Sequence, residues 1–494
     1  MRKGTLLGDT LLLTASSVLL RGLGMLMNTL LSRAIGAEGL GILQLIMSVF
    51  SFSMTLGLCG TRTAALYFCA SQAGPRADGL RAAALCCLRY VLFTACCAGT
   101  ALFLFAPGLA GWLPGLAGCS ALLRLLAPLL PVHAVNLVLG ACFTAAGRVR
   151  TLIAVDLAER LFSSALFAAL VLRGAAAAPE TVCRWFLLCE GLGAALSMLA
   201  LLVLFLRQFP PAGRTAQAPA RLRARLTRLC IPLALGEYLR AGLSLLEQYL
   251  IPWGLLKSGR SQLQALGAYG TLTGMVFPMM MFPAALLYAL NDLLLPALAR
   301  QTGLGRAGRC EQLIFRSLSA ALLFASFCAG LFVSTGMPLA RLLFDSPQAG
   351  RLLSLFAPML LMLYLDILTD GMLKGLGQQQ ANLRINLLTS VLDVALLYLL
   401  LPRAGLPGYL AVFFLTHAVN FALSLRRLLQ RCQRSLSPVQ AVLPPACAAL
   451  ACAGAGLLQA SGDWSLLFLR GLCFSVLFFC LAGLLGLLRG RVQT

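Results

Sequence analysis

Two apolar stretches, Leu196–Leu206 (LSMLALLVLFL) and Leu472–Leu488 (LCFSVLFFCLAGLLGLL), decide the fold class. Both run without a charged residue, and neither alternates apolar and polar positions as the strands of a membrane β-barrel do. The composition agrees with them, because the 494 residues are 60% hydrophobic and only 11% charged. Soluble domains carry about 25% charged residues. The sequence therefore predicts an all-α polytopic membrane protein.

Breaks at glycine, proline and charged residues divide the chain into fourteen candidate spans, since a spanning helix needs about 20 apolar residues. They cover residues 8–32, 39–60, 80–105, 119–145, 151–172, 182–206, 227–256, 266–296, 314–336, 353–373, 383–401, 407–426, 440–459 and 465–488. The loops test this division, because 26 Lys and Arg fall in one set of alternate loops and ten in the other. Cytoplasmic loops carry the excess of basic residues. We therefore expect both termini in the cytoplasm.

A polar, basic stretch from Arg207 to Arg228 separates six spans from eight. It predicts four segments: an N-terminal six-helix bundle over residues 1–206, a basic cytoplasmic linker over 207–226, a C-terminal six-helix bundle over 227–434, and two additional helices over 435–494.

An internal repeat supports the two bundles. Leu125–Leu130 (LLAPLL) matches Leu355–Leu360 (LFAPML) at an offset of 230 residues. The first helices of the two halves align at an offset of 219, which places Arg21 on Arg240. A repeat six helices later keeps its direction across the membrane. The bundles are thus expected to be related by a pseudo-two-fold axis along the membrane normal.

Several classes of function are excluded by the sequence patterns. The net charge of +23 is explained by the basic loops, so we expect no nucleic-acid partner. The chain has no Walker A, G-x-S-x-G or H-E-x-x-H motif, and we expect neither an enzyme nor a bound cofactor. The 18 cysteines lack a C-x-x-C pair, and His133 and His417 stand alone. No metal site or disulfide framework is predicted.

Polar residues inside the predicted spans mark candidate binding sites, because charges at mid-bilayer usually face a cavity or a partner. One face of the first helix carries Ser17, Arg21, Gly24 and Asn28. One face of the seventh carries Glu237, Arg240, Ser244 and Glu247. The planar guanidinium suits a phosphate or pyrophosphate, so these stripes are candidate substrate-binding residues of a central cavity. The alternative is that Glu237 and Arg240 pair with each other.

Other intramembrane acids are candidates for coupling to a cation or proton: Asp292, Asp366 and Asp370. For Asp370 the alternative is an i, i+4 pair with Lys374. Asp156, Glu159 and Arg160 are expected to pair among themselves. Pro278 and Pro283 predict kinks in the eighth span, and together with Gly24 they are candidate hinge or gating positions.

A series of motifs resembles a known family. The motifs are Leu20–Gly24 (LRGLG), Leu31–Gly41 (LSRAIGAEGLG), Ala268–Pro278 (AYGTLTGMVFP), Leu294–Ala297 (LLPA) and Gly371–Gln378 (GMLKGLGQ). Their order resembles the polysaccharide-transporter branch of the MOP (multidrug/oligosaccharidyl-lipid/polysaccharide) superfamily. The chain is most similar to the stage V sporulation protein B family, a cousin of the lipid II flippases.

The resemblance implies an alternating-access exporter that turns lipid-linked oligosaccharides or peptidoglycan precursors across the bacterial cytoplasmic membrane, for envelope or spore-cortex synthesis. It implies membrane lipid as a partner and a coupling cation or proton. Arg21 matches a cavity arginine of the family. Where the lipid II flippases carry a second arginine, this sequence has Met27-Asn28, and Arg240 is the expected replacement.

Two other functions stay open at this point. One is a cation-coupled multidrug antiporter of the same superfamily, which commonly has twelve spans and buried acids. The other is a non-transporting membrane scaffold for envelope or spore assembly. Fourteen spans and stripes centred on arginine favour the flippase over the antiporter, and charges buried on matched helices argue against the scaffold.

Overall fold

The computed structural model describes residues 3–72, 80–112, 115, 118–174, 178–209, 219–432, 438–460 and 462–487. All regular structure within those ranges is helical. The helices are α1 (Lys3–Leu58), α2 (Thr61–Gln72), α3 (Leu80–Trp112), α4 (Ser120–Leu126), α5 (Leu129–Ala145), α6 (Val149–Arg173), α7 (Pro179–Gln208), α8 (Pro219–Lys257), α9 (Gln262–Gly270), α10 (Phe277–Met281), α11 (Ala284–Gly303), α12 (Ala307–Phe344), α13 (Pro347–Phe356), α14 (Leu360–Gly375), α15 (Gln379–Leu429), α16 (Pro438–Gly456) and α17 (Asp463–Leu484). A π-helical segment, Thr271–Val276, joins α9 to α10, and a 3₁₀ turn, Ala357–Met359, joins α13 to α14.

The two longest helices are each broken by one glycine. In α1, Gly36 has φ 69° and ψ −179°, and in α15, Gly405 has φ 58° and ψ −139°. These backbone angles are open to glycine and strained for other residues. A straight helix of 56 residues would be about 84 Å long, far beyond the roughly 30 Å of a hydrocarbon core. Each helix therefore provides two segments, and the breaks lie where the sequence predicted loops.

The described chain contains ten helices long and apolar enough to cross a membrane, or eleven if a bent pair forms one span. That pair is Gln262–Met281 and Ala284–Gly303, whose axes differ by 56°. The prediction of an all-helical, multi-pass membrane protein is confirmed. The count of fourteen and the cytoplasmic side of both termini stay predictions.

Contacts group the chain into two units. The first contains the residues up to Leu256 together with Arg260–Gly270, and the second contains Lys257–Gly259 and the residues from Thr271 onward. Helices α8 and α9 thus group with the first unit. Residues 210–218 of the predicted linker over 207–226 lie outside the described residues, and its last part belongs to α8, which begins at Pro219. The predicted segment boundaries stay predictions.

Small side chains dominate the packing of the first unit. Buried alanines and cysteines of α2, α3 and α5, such as Ala84, Cys87 and Cys142, form one cluster with Phe143 and Phe205. Free cysteine packs as a small apolar residue, and all 18 cysteines are free thiols. Close helix contacts through small residues are typical of membrane proteins.

In the second unit, α16 and α17 pack on α12. Phe327 of α12 contacts the rings of Phe474 and Phe478 of α17, with centroid distances of 5.7 and 5.5 Å. Gly330 leaves room for this contact, since a Cβ there would lie 2.5 Å from the Phe474 ring. The last two helices are therefore an integral part of the second unit.

Candidate functional site

The predicted polar stripe of the first helix lies on α1, before the break at Gly36. Arg21, Gly24 and Asn28 are half-buried and Ser17 is exposed. A Cβ built on Gly24 would meet nothing within 4 Å, so close packing does not explain the glycine at this position.

The second stripe lies on α8, in the same unit as α1. Arg240 and Ser244 are exposed, and Glu237 and Glu247 are half-buried. Arg240 makes no ion pair or hydrogen bond with any residue that the structure describes. The alternative that Glu237 and Arg240 neutralise each other is therefore wrong. An exposed guanidinium in an apolar helix keeps its donors available to an anion.

A hydrogen-bonded network in the second unit surrounds Asp366 of α14. Asn420 Nδ2 donates to Asp366 Oδ2 at 2.8 Å, and Thr389 Oγ1 donates to Asn420 Oδ1 at 2.9 Å. The other carboxylate oxygen, Asp366 Oδ1, is buried without a hydrogen-bond partner among the described residues. A buried acceptor without a donor is costly. A proton on the carboxyl group or a bound cation would satisfy this oxygen.

Two further acids of the second unit accept hydrogen bonds from neutral side chains. Asn386 Nδ2 donates to Asp370 Oδ2 at 3.4 Å. Thr416 Oγ1 donates to Asp393 Oδ1 at 2.6 Å. Lys374 is exposed and forms no ion pair with the described residues, so the alternative of an Asp370–Lys374 pair is wrong. Asp366 and Asp370 thus lie in one polar region of α14 and the two halves of α15.

Asp292, the third predicted coupling residue, is exposed on α11 and separate from this network. Its neighbour Asn291 is half-buried, and the Oδ1 atom of Asn291 is buried. Asn291 Oδ1 lies 1.4 Å from where a Cβ on Gly371 would stand, and it has no described hydrogen-bond partner. The structure therefore brings together Asp366 and Asp370 but not Asp292.

An ion pair of the first unit was not predicted. Arg160 Nη1 of α6 lies 2.9 Å from Glu190 Oε1 and 3.1 Å from Oε2 of α7. The side chains are 40% and 20% exposed, respectively. The expectation that Arg160 pairs with Asp156 or Glu159 is wrong, because its partner comes from the next helix.

Four neutral residues of the network around Asp366, Asp370 and Asp393 were not singled out from the sequence: Asn386, Thr389, Thr416 and Asn420. Asn420 lies four positions after Thr416, and Thr389 three after Asn386, so each pair shares a face of α15. A search for amides and hydroxyls at helical spacing, in addition to charges, would have found them.

The backbone is irregular where the hinge prolines were predicted. The π-helical segment over Thr271–Val276 begins where the chain passes from the first contact unit to the second, and it ends two residues before Pro278. Pro283 lies at the break between the two helices that are bent by 56°. π-helical segments frequently occur at functional sites.

No model of a protein family matches the chain. Stage V sporulation protein B of Bacillus subtilis (strain 168) is 23% identical over 415 residues, which cover 82% of this chain and 80% of that protein. Solved structures of membrane transporters share the fold, among them the following two. Lipid II flippase MurJ in an inward closed conformation has a TM-score of 0.76 at 9% identity and covers 98% of this chain and 100% of its own. An inward-facing multidrug resistance MATE family transporter of the MOP superfamily has a TM-score of 0.65 at 13% identity, covering 84% and 96%.

Sequence and fold support the same relationship. The relative found by sequence extends over most of both chains. Both structural matches also cover nearly the whole of their own chains, and they have the helical architecture described above. The chain is a multi-pass membrane protein that is similar in sequence to stage V sporulation protein B and similar in fold to a lipid II flippase and a MATE family transporter.

Proposed function

We propose that the protein is an alternating-access flippase that turns lipid-linked oligosaccharides or peptidoglycan precursors across the cell membrane. The proposal depends on one observation about Arg240. This arginine is exposed in an apolar helix and has no ion-pair or hydrogen-bond partner among the described residues. Keeping such a charge inside a membrane is costly. A pyrophosphate that links a sugar to its lipid would compensate that cost through bidentate hydrogen bonds.

The substrate-binding residues of the proposal are the two stripes. Arg21 and Arg240 bind the phosphates, and Ser17, Asn28, Ser244, Glu237 and Glu247 supply hydrogen-bonding groups for the sugar. Gly24, Pro278 and Pro283 are the proposed hinge positions. No step makes or breaks a covalent bond, so the proposed activity is transport and not an enzymatic reaction.

Asp366 is the proposed coupling residue. Its unbonded carboxylate oxygen is the observation that favours it over Asp292, which is exposed. Asp370 is the second candidate because it lies one helical turn away on α14. Binding and release of a proton or monovalent cation here would bias the two conformations of the transporter.

In the proposed topology, the chain crosses the membrane fourteen times and both termini lie in the cytoplasm. The breaks at Gly36 and Gly405 support this count, since each divides one long helix into two segments. The six-plus-six-plus-two arrangement, with segments at 1–206, 207–226, 227–434 and 435–494, rests on the sequence repeat.

Multidrug export is the second candidate function, because the MATE transporter has a similar fold. The flippase structure covers 98% of this chain and the MATE structure 84%. The fuller match favours the flippase. A membrane scaffold without transport is the third candidate, and the unpartnered Arg240 argues against it.

Translocation in proteoliposomes tests the proposal. A fluorescent undecaprenyl-pyrophosphate-linked sugar is incorporated, and the fraction accessible to a membrane-impermeant quencher is followed. Hydrogen bonds to charged groups contribute about 1.5–3 kcal/mol each, so we expect Arg21→Ala and Arg240→Ala to lower the rate by about ten- to a hundredfold. Arg309→Ala removes an exposed arginine from the first turn of α12 and should leave the rate unchanged.

The possible results of this experiment distinguish the three candidate functions: flippase, drug antiporter and scaffold. If the wild type flips no lipid-linked sugar but extrudes organic cations, the protein is a drug antiporter. If it transports neither and both arginine variants complement a deletion strain, the scaffold is correct. Arg240→Lys adds a check on geometry, because it keeps the charge and loses the bidentate fork.

A further inference from the structure

The first unit contains an apolar groove that the stripes do not use. It lies between the second half of α1, α3 and α8, and its volume is about 680 Å³. The large lining side chains are Phe52, Leu56, Phe93, Phe105, Trp112 and Tyr249. All of them belong to the first unit.

Besides the hydroxyls of Ser53 and Tyr249, the polar groups in the groove are occupied within the protein. Thr94 Oγ1 donates to the Gly57 carbonyl at 2.6 Å, and Tyr238 Oη donates to the Leu56 carbonyl at 3.0 Å. Cys59 Sγ accepts from Tyr90 Oη at 3.1 Å. With these donors engaged, the groove offers a ligand chiefly carbon surface. Such a surface suits a hydrocarbon chain.

The length of the groove indicates how long a hydrocarbon chain it can hold. Along α3 it runs from Phe93 to Trp112, which is about 28 Å at 1.5 Å per residue. The hydrocarbon core of a bilayer is about 30 Å thick, and one phospholipid tail fills only its own leaflet. Trp112, 86% exposed at the end of α3, has the character of an interfacial aromatic residue. A groove about as long as the hydrocarbon core is thick suits a chain longer than one leaflet.

Helix α8 separates this groove from the stripe that contains Arg240. The groove residues of α8 are Tyr238, Leu245, Leu246 and Tyr249, at positions i, i+7, i+8 and i+11. At about 100° per residue, Glu237, Arg240, Ser244 and Glu247 lie on the opposite face of the helix. One helix thus presents an apolar face to the groove and a phosphate-binding face to the other side.

We propose that the groove between α1, α3 and α8 binds the polyprenyl chain of the lipid-linked substrate while its pyrophosphate contacts the opposite face of α8. This inference rests on the proposed function and adds the site of the lipid tail. The long isoprenoid chain lies along α3 across both leaflets and loops around the edge of α8 to the head group. Such a site selects the carrier lipid by the length of its tail.

Photocross-linking of the full-length protein in nanodiscs tests the groove. The probe is a polyprenyl pyrophosphate with a diazirine in its chain, and a phosphatidylglycerol with a diazirine in one acyl chain is the comparison. Labelled peptides are identified by mass spectrometry. We expect the polyprenyl probe to label residues 93–112, and unlabelled polyprenyl pyrophosphate, but not excess phosphatidylglycerol, to compete.

Neighbouring residues provide matched variants. Cys96 and Cys97 are both exposed, and Cys97 alone of the two lines the groove. Cys97→Trp should reduce labelling by about tenfold, equivalent to about 1.4 kcal/mol of binding, and Cys96→Trp should not. Ala101→Phe inside the groove and Thr100→Phe outside it repeat the comparison with a second pair. Thermal melting of all four variants identifies any that fail to fold.

Equal labelling by both lipids, without competition, would mean that the groove holds bulk membrane lipid, and the proposal is then wrong. Labelling confined to α17 would also overturn it. The proposed function fails differently, because a wild-type protein that flips no lipid-linked sugar can still be tested for polyprenyl labelling. A wild-type protein that flips, with Cys97→Trp flipping and cross-linking normally, overturns the groove alone.

Discussion

At the scale of single residues, two acids of the second unit, Asp366 and Asp393, have amide and hydroxyl partners instead of cationic ones. Asp366 receives one bond from Asn420, and Asp393 one from Thr416. No described Lys or Arg pairs with either carboxylate. Neutral donors leave the charge of a carboxylate uncompensated, so protonation or cation binding changes its energy strongly. Asp366 therefore differs from Glu190, which an arginine already neutralises.

Asp366→Asn should uncouple transport from the ion gradient. The amide keeps the size of the carboxyl group and cannot exchange a proton, so we expect the stimulation of flipping by an imposed gradient to fall by about tenfold or more. Asp292→Asn changes an exposed acid of the same unit and should leave the stimulation unchanged. Gradient-driven flipping in proteoliposomes measures both. Full stimulation in Asp366→Asn would exclude this site.

Arg160→Gln should destabilise the protein by leaving Glu190 without its cation. Breaking a fully buried pair costs about 3–5 kcal/mol, and we expect about 1–3 kcal/mol here because the Arg160 side chain is 40% exposed. The double variant with Glu190→Gln should recover part of the loss. Melting in detergent, followed by size-exclusion chromatography, gives the order of stabilities. Equal melting of wild type and Arg160→Gln would mean that the pair contributes little.

At the scale of helices, glycine contacts fix how α9 lies on α1. A Cβ on Gly270 would stand 2.0 Å from the Ala37 carbonyl oxygen and 2.5 Å from the Gly41 amide nitrogen. A Cβ on Gly41 would stand 2.2 Å from the Leu266 carbonyl oxygen. Backbone atoms cannot move aside as flexible side chains do. The pair Gly41 and Gly270 therefore sets the closest approach of these helices, directly before the π-helical segment.

Gly270→Ala should force α9 away from α1. Overpacking costs about 1–3 kcal/mol, and the larger value applies because the added methyl meets backbone. Gly24→Ala is the matched control, since its Cβ would meet open space. We expect a lower melting temperature for Gly270→Ala and no change for Gly24→Ala. A loss of flipping in Gly24→Ala at unchanged stability would support its role as a hinge.

Helices were easier to predict from the sequence than the contacts between them. The two segments of α1 and of α15 could be predicted because the apolar runs are interrupted at Gly36 and Gly405. A glycine break is visible in the local sequence. The partner of Arg160 was missed because Glu190 is 30 residues away, and nothing in the local pattern relates them. The sequence predicted the acids of the Asp366 network but not their partners. Asn420 was missed because it is neutral, and its role depends on its contact with α14.

At the scale of the whole molecule, the distribution of charge predicts how the chain is oriented in the membrane. The loop between α12 and α13, near Ser346, belongs to the set with few basic residues. The loop between α14 and α15, near Gln378, belongs to the set with many. The positive-inside rule assigns the second loop to the cytoplasm. The fold itself does not decide orientation, because an inverted molecule would bury the same surfaces.

Reporter fusions test this orientation. Alkaline phosphatase fused after Ser346 should be active, because the enzyme folds outside the cytoplasm, and the fusion after Gln378 should be inactive. Green fluorescent protein at the same positions should give the opposite pattern. If the reporter activities are reversed, both termini lie outside the cytoplasm, and the predicted direction of transport is reversed as well.

The break at Gly36 also has a consequence for how the chain enters the membrane. Only a few residues separate the two segments of α1. The second segment therefore enters the translocon before the first has left it for the lipid bilayer. We therefore expect the two segments to insert together, with Gly36 between them. A bulkier residue at this positive φ would favour one continuous rod, which no bilayer accommodates. Replacing Gly36 is thus expected to affect the yield of inserted protein, during synthesis, rather than the activity of molecules that have already matured.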